Sequence, residues 1–268
     1  MNKPLVSALM VTGKPGRQHL VKAAIRSFLA QTYENKELII VNDGPEPVTL
    51  DDDEFRTDTL IKEVFIPGGS NLGDLRNVAV NNAAGDWCIQ WDDDDWYGVD
   101  RIAVQMADYE YDQPTLLNWQ IRYSFANDSA YAIRWTGKIP GIPGTVCFPR
   151  HSIVTEIPIP FQNLPSSLYV RKSCSPYTYR SESRHEDSHF LLDHFPKTTI
   201  IDNAPGKNPG PELYIRFYHG ANTWDHKHIM QRHADPDMHG VWHLSEDEKF
   251  VLSSVLTNQY GVVHTRCH

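Results

Sequence analysis

Four consecutive carboxylates, Asp92-Asp93-Asp94-Asp95, stand between Trp91 and Trp96. Like charges this close repel, and a folded protein keeps them together only with a counter-charge. A hard divalent cation with a phosphate behind it would supply one, because Mg²⁺ and Mn²⁺ take oxygen ligands. Acid blocks are commonly solvated loops. This block follows the apolar run Trp87-Cys88-Ile89 and is bracketed by aromatic rings, which favours a built site. A second cluster, His185-Glu186-Asp187-Ser188-His189, fits HExxH. In that motif two imidazoles on one helix face bind zinc and the glutamate acts as base. Asp193, His194 or His219 would have to complete the zinc site. With 13 histidines in the chain the match also arises by composition, and it leaves the aspartate run, Asp43 and Arg76 idle. A zinc hydrolase using His185, Glu186 and His189 is therefore the lesser alternative.

The elements that must position these groups follow from the apolar pattern. Leu5–Val11 reads as a buried strand closed by Gly13-Lys14-Pro15-Gly16. A helix over Gln18–Thr32 places Val21, Ala24, Ile25, Phe28 and Leu29 on one face. Leu38–Val41 is a second buried strand, ending at the turn Asn42-Asp43-Gly44-Pro45. Val64–Ile66 is a third strand, and Leu75–Ala84 a short helix. Trp87–Trp91 is a fourth strand that delivers the acidic run, and a helix over Asp100–Tyr109 follows. Alternating short strands and helices predict a parallel sheet covered on both faces. Ligands of such sheets bind at the carboxyl ends of the strands, where Thr12, Asp43 and Asp92–Asp95 all lie. In the second half, Thr115–Ser124 and Ala130–Trp135 read as paired strands. Glu182–His194 is a helix, and Leu213–Tyr218 alternates as a strand. Ser245-Glu246-Asp247-Glu248 is a capping box opening a C-terminal helix with Phe250, Val251, Val255 and Leu256.

The chain has 268 residues, 40% of them hydrophobic, enough for a packed core. Its net charge of −9 disfavours broad contact with a nucleic-acid backbone. No stretch approaches the roughly 18 apolar residues of a membrane span. The start carries no small-residue cleavage site and does not read as a signal peptide. Cys88, Cys147, Cys174 and Cys267 are scattered without a CxxC pair, as reduced cytosolic thiols are.

In order along the chain, these residues resemble the family 2 glycosyltransferases of the GT-A fold. Leu9-Met10-Val11-Thr12 is similar to the family's opening strand. Leu38-Ile39-Ile40-Val41-Asn42-Asp43-Gly44 resembles its second strand with the nucleotide-base aspartate. Asn71-Leu72-Gly73 with Arg76-Asn77 resembles its N-x-G…R-N segment. Gly85-Asp86-Trp87 and Asp92–Asp95 resemble the DxD(D) metal-nucleotide motif. His185-Glu186-Asp187 carries its Glu-Asp pair, and Tyr214–His219 resembles its late Arg…His stretch. The resemblance covers about residues 4–225.

The resemblance implies an α/β, GT-A-like single domain with a mostly parallel central sheet. Residues 1–110 would form the nucleotide-sugar-binding half and 111–225 the acceptor-binding and catalytic half. Residues 226–268 would be a C-terminal helical extension, with a His-rich stretch at His226, His228, His233, His239 and His243. It implies an inverting transfer of a sugar from a nucleotide-diphosphate donor, such as a UDP-sugar, with Mn²⁺ or Mg²⁺ as cofactor. Asp43 would bind the base, with Thr12 and Arg76 also on the donor side; Arg76 would pair with a donor phosphate or hold Asp94. If the acidic run is extended, alternate carboxylates share a side. Asp92 would then reach the nucleoside and Asp94 the metal, with Asp93 pointing away and Asp95 and Trp96 towards the acceptor. The four-Asp run leaves this register open by one residue. His219 would be a further metal ligand and Asp187 the general base, and Glu186 would orient the acceptor or support the helix. Trp91 and Trp96 could stack on a base or sugar, or pack in the core. The acceptor hydroxyl is left open among a glycan, a lipid-linked glycan, a protein, a small molecule and a modified nucleic-acid base. The expected setting is cytoplasmic, with a peripheral position at the membrane face open. The non-enzymatic alternative is a nucleotide-sugar or glycan-binding module on the same fold.

Overall fold

Two sheets share the chain, and the acidic run crosses between them. The computed structural model describes residues 3–48, 60–66, 68, 70–107, 113–137, 139–150, 177–220, 222 and 241–261. Tyr109, Cys174, Cys267 and the histidines from His226 to His239 lie outside the described residues.

Strands β1 (Val6–Thr12), β2 (Lys36–Asn42), β3 (Ile61–Phe65) and β4 (Trp87–Gln90) pair in parallel, in the order β3-β2-β1-β4. Strands β1, β2 and β4 are buried on both faces because helices cover both, whereas β3, at the sheet edge, is only half-buried. Helix α1 (Gln18–Leu29) buries Leu20, Val21, Ala24, Ile25 and Phe28, and packs with Met10, Leu38 and Ile40 in one core. Helix α2 (Leu72–Asn82) buries Leu75, Ala79 and Val80 against Leu9, Ile39 and Val41 on the other face. Beyond β4 the sheet continues through β9 (Cys147–Pro149), antiparallel to β4, then β6 (Thr115–Leu117) and β10 (Thr199–Ile201). This is the mixed, mostly parallel α/β sheet expected.

The second sheet has the order β12-β8-β7-β11-β5. Its strands are β5 (Trp96–Tyr97), β7 (Trp119–Ser124), β8 (Ser129–Arg134), β11 (Tyr214–Tyr218) and β12 (Val241–Trp242). Thr115–Ser124 is thus two strands in different sheets, not the single strand expected. The break is Asn118, and Asn203 holds it open. Asn203 Oδ1 accepts from the amides of Asn118 at 3.3 Å and Trp119 at 3.1 Å, and its Nδ2 donates to the carbonyls of Trp119 and Gly210. Helix α3 (Arg101–Gln105) follows β5, α4 (Glu186–His194) carries the Glu-Asp pair, and α5 (Glu246–Tyr260) closes the second sheet. The capping box of α5 forms as expected, with Ser245 Oγ accepting from the Glu248 amide and Glu248 from the Ser245 amide. Leu252, Val255 and Leu256 face the sheet core, and the Tyr260 ring packs tilted against Phe217. Phe250, on the same helix, is 76% exposed. No helix among the described residues is long and apolar enough to cross a membrane.

Asn203→Leu removes four buried backbone partners without changing volume greatly. The expected loss is about 3 kcal/mol, read as a lower urea midpoint at unchanged slope. A loss below about 0.5 kcal/mol would mean that Asn203 does not hold the two sheets together.

Candidate active site

The acidic run leaves β4 at the carboxyl edge of the parallel sheet and turns at once, with Asp93 and Asp94 in the turn. The extended alternation expected for it therefore does not form. Each carboxylate instead has its own partners. Asp92 pairs with Arg76 Nη2 at 3.3 Å, and its amide donates to Tyr97 Oη at 2.7 Å. Asp93, expected to point away, is buried and accepts from Thr12 Oγ1 at 2.7 Å and Arg17 Nη1 at 3.1 Å. Asp94 meets Arg17 Nη2, lies 3.2 Å from His219 Nε2, and is 3.4 Å from Asn222 Nδ2. Asp95, expected on the acceptor side, is 1% exposed. It accepts from Tyr214 Oη at 2.6 Å and from the Phe217 amide at 3.2 Å. Asp95 thus ties the run to β11 of the second sheet rather than facing a substrate.

Charge separates the two central groups. Burial, and Asp94 beside it, push the Asp93 carboxyl up to about 7, against the pull of Arg17 and the Thr12 hydroxyl. Burial also opposes ionisation of Asp94. The His219 hydrogen bond and the Arg17 and Arg216 charges outweigh it and hold Asp94 below the usual carboxylate range. Asp94 is therefore the carboxylate of this pair that stays charged.

The flanking tryptophans do not face a ligand together. Trp91 is fully buried, donates from Nε1 to the Ala24 carbonyl, and packs on Phe28, Tyr97 and Arg101. Trp96 packs against the core of the second sheet. On β2's end, the Asp43 amide donates to the Thr12 carbonyl, and its carboxylate lies over Gly13. A Cβ at Gly13 would sit 1.9 Å from Asp43 Oδ1, so only glycine permits this approach. Thr12 itself is committed to Asp93.

The second carboxylate pair arrives on α4 because α2 grips the segment before it. The Gly73 amide donates to the Glu182 carbonyl, and a Cβ at Gly73 would strike the Arg180 carbonyl at 1.8 Å. Asn71 bonds Ser181 and Ser183, and Asn77 exchanges two hydrogen bonds with the Tyr179 backbone. Arg76 lies deepest, with Nε 3.2 Å from Glu186 Oε1 and Nη2 on Asp92. With the Gln90 amide turned to face it, Arg76 also donates to Gln90 Oε1 at 2.7 and 3.0 Å. Arg76 was expected on a donor phosphate or on Asp94; it instead joins the acidic run to α4. Two acids raise its guanidinium affinity for the proton despite burial.

Asp187 follows Glu186 and turns towards the run. A Cβ built on Gly144, in the 3-10 turn Pro143–Thr145, would lie 3.6 Å from Asp92 Oδ2 and 3.7 Å from Asp187 Oδ2. The two carboxylates thus flank one small space. Burial, and Glu186 and Asp92 nearby, push the Asp187 carboxyl up to about 6, with Arg76 opposing. The HExxH reading loses its base, because Glu186 is buried against Arg76, and His189 Nδ1 is 2.8 Å from Glu182. Among the described residues no cluster of three His, Cys, Asp or Glu could hold a metal by itself.

The profile of glycosyl transferase family 2 matches residues 16–177. The chain belongs to that family. It is 29% identical to an uncharacterized glycosyltransferase of Haemophilus influenzae over 108 residues, 40% of this chain and 42% of that protein. Over 115 residues it is 35% identical to an Escherichia coli K12 protein provisionally named colanic acid biosynthesis glycosyl transferase WcaA, 40% of this chain and 38% of that one. The chain thus aligns with about two fifths of each curated relative. In structure it is similar to Staphylococcus aureus TarS residues 1–349 in complex with UDP, with a TM-score of 0.54 at 11% identity, covering 98% of this chain and 73% of that one. The same TarS fragment with UDP-GlcNAc gives 0.52 over 98% and 74%. The fold of this family 2 chain is therefore GT-A-like.

Sequence reasoning missed Arg17, Tyr97, Gly144, Tyr214 and Asn222. Arg17 carried a signal. A cation at the start of a helix opposes the helix dipole, and α1 has no acid in its first turn.

Removing Arg76 strands two acids. Arg76→Met is expected to cost about 3–5 kcal/mol, measured by chemical denaturation. Adding Glu186→Leu should recover part of that loss, and a double variant no more stable than Arg76→Met would contradict the pairing.

Proposed function

We propose that this family 2 protein is an inverting glycosyltransferase. It would move a sugar from a nucleotide-diphosphate donor, most simply a UDP-sugar, to an acceptor hydroxyl, with Asp187 as the general base. The observation that carries this reading is the pair of carboxylates flanking Gly144: Asp92, rooted in the acidic run, and Asp187, on α4. Inversion needs a base on the side of the sugar opposite its leaving group. A donor bound over the acidic run and an acceptor beside α4 meet that condition.

The roles divide accordingly. Asp43, at the end of β2, would accept from an N–H of the base. TarS was solved with UDP and with UDP-GlcNAc, and the same nucleotide class is proposed here. Asp94 and His219, whose Oδ2 and Nε2 lie 3.2 Å apart, would together offer a cation a half-site of one carboxylate and one imidazole. Two protein ligands suit a cation that shares its coordination with phosphate oxygens and water. They do not suit an all-protein cage. Mn²⁺ or Mg²⁺ held there would neutralise charge developing on the leaving diphosphate. The chain's own residues do the rest. Asp187 takes the acceptor proton as the hydroxyl oxygen attacks the anomeric carbon and the bond to the diphosphate breaks. Arg76 keeps Glu186 and Asp92 paired, so that the charge beside Asp187 is balanced. The raised Asp187 carboxyl is a stronger base than an exposed aspartate, yet it is ionised near neutral pH.

A thermal-shift screen of nucleotide sugars with and without Mn²⁺ tests the donor half, since a ligand of the native state raises its melting temperature. If no nucleoside diphosphate or nucleotide sugar raises it, the donor site is wrong. Binding of a nucleotide sugar without any turnover would favour the binding-module alternative. Asp187→Asn is expected to retain the shift and lose about 10²–10⁴-fold in transfer; a variant transferring at the wild-type rate would exclude Asp187 as base. Because the base must be deprotonated, kcat/KM is expected to fall as pH drops through about 6 and to level off above it. A profile flat from about pH 5 to 8 would contradict the assignment.

A further inference from the structure

Arg17 sits where the half-site's cation would be. Its Nη1 holds Asp93, its Nη2 contacts Asp94, and that same Nη2 is 3.3 Å from His219 Nε2. One guanidinium nitrogen therefore contacts both groups offered to a divalent cation, which also contact each other at 3.2 Å. The side chain is buried, with only 9% of its surface exposed. Its Nε has no hydrogen-bond partner. A buried, unsatisfied N–H is costly, so the guanidinium has a donor to spare for an anion. Its backbone setting offers no other reason for the charge. Arg17 caps the amino end of α1, where a cation opposes the helix dipole.

We propose that Arg17 is a resident stand-in for the divalent cation: it neutralises Asp93 and Asp94 in the cation-free protein, and is displaced when a cation binds Asp94 and His219, becoming a ligand of the donor's diphosphate. This rests on the cation half-site argued above. The exchange puts a double positive charge in place of a single one and breaks the Arg17 hydrogen bonds to Asp93 and Asp94, but no covalent bond. Without Arg17, Asp93 would keep the Thr12 hydroxyl, and Asp94 would keep His219, Asn222 and the Arg216 charge, against their repulsion. After the exchange, a planar fork that matches phosphate oxygens is released beside the place where the diphosphate must lie. Arg17 thereby couples occupancy by the cation to readiness for the donor, and the resident charge lowers the affinity for the cation alone.

The test is calorimetric titration of MnCl₂ into the wild-type chain, Arg17→Gln and Asp94→Asn, without and with UDP. Arg17→Gln is expected to bind Mn²⁺ roughly tenfold more tightly than wild type when UDP is absent, because a competing charge is gone. It is expected to bind UDP roughly tenfold more weakly when Mn²⁺ is present. If wild type binds Mn²⁺ in a manner lost in Asp94→Asn, while Arg17→Gln binds it no more tightly, the half-site stands and the stand-in role fails. If neither wild type nor Arg17→Gln binds Mn²⁺ in either condition, both fail. Should Arg17→Gln not fold, the wild-type chain gives the answer by NMR. The Arg17 Nε–H resonance, identified by its loss in Arg17→Lys, is expected to move as Mg²⁺ saturates the protein. A resonance unmoved at saturation would overturn the proposal.

Discussion

Four adjacent carboxylates have to be kept apart electrostatically while being kept together in space, and the site's architecture follows from that constraint. Uncompensated buried charge costs several kcal/mol per ion. The chain meets this by giving the run four exits. Asp92 goes to Arg76, Asp93 to Arg17 and Thr12, Asp94 to Arg17, His219 and Asn222, and Asp95 to Tyr214 and the Phe217 amide. These partners come from β1, the start of α1, α2, β11 and the segment just after β11. The run is therefore the point at which the parallel sheet, its covering helices and the second sheet are joined.

Arg76 carries the same logic to the far side of the site. Its guanidinium is shared by Asp92 and Glu186, so the position of α4 is fixed relative to the acidic run by one buried cation. Around it, Asn71, Gly73 and Asn77 bind the backbone and hydroxyls of residues 179–183. The N-x-G…R-N segment is thus a clamp on the approach to α4. The distance between the donor side and the proposed base is set by this clamp, and Gly144 keeps the intervening space clear of a side chain.

Much of this was legible in the sequence, for identifiable reasons. Short apolar strands, the periodic face of α1 and the Ser245–Glu248 capping box are local signals, and they led to the right elements. The convergence of Thr12, Asp43 and the acidic run on one edge followed from the parallel topology. What could not be read depended on contacts distant in sequence. The turn at Asp93–Asp94 replaced the expected extended geometry, because Arg17 draws two neighbouring carboxylates to one guanidinium. Asp95 went inwards because Tyr214, 119 residues away, supplies a buried hydroxyl. Thr115–Ser124 looked continuous because Asn118 is unremarkable until Asn203 reaches it from 85 residues away. Arg76 was read as pairing with a donor phosphate or with Asp94, and its ion pair with Glu186 was not foreseen because that partner lies 110 residues on.

The central claim is that the acidic run and α4 form the two faces of one transfer site, with the leaving diphosphate at Asp94 and His219. Anomalous diffraction from crystals grown with Mn²⁺ and UDP tests it most directly. A manganese peak bonded to Asp94 and His219 is expected, with the diphosphate on its open side and the terminal phosphate directed towards the space between Asp92 and Asp187. A peak ligated instead by His185 and His189, or a nucleotide bound away from the carboxyl edge of β1, β2 and β4, would contradict it.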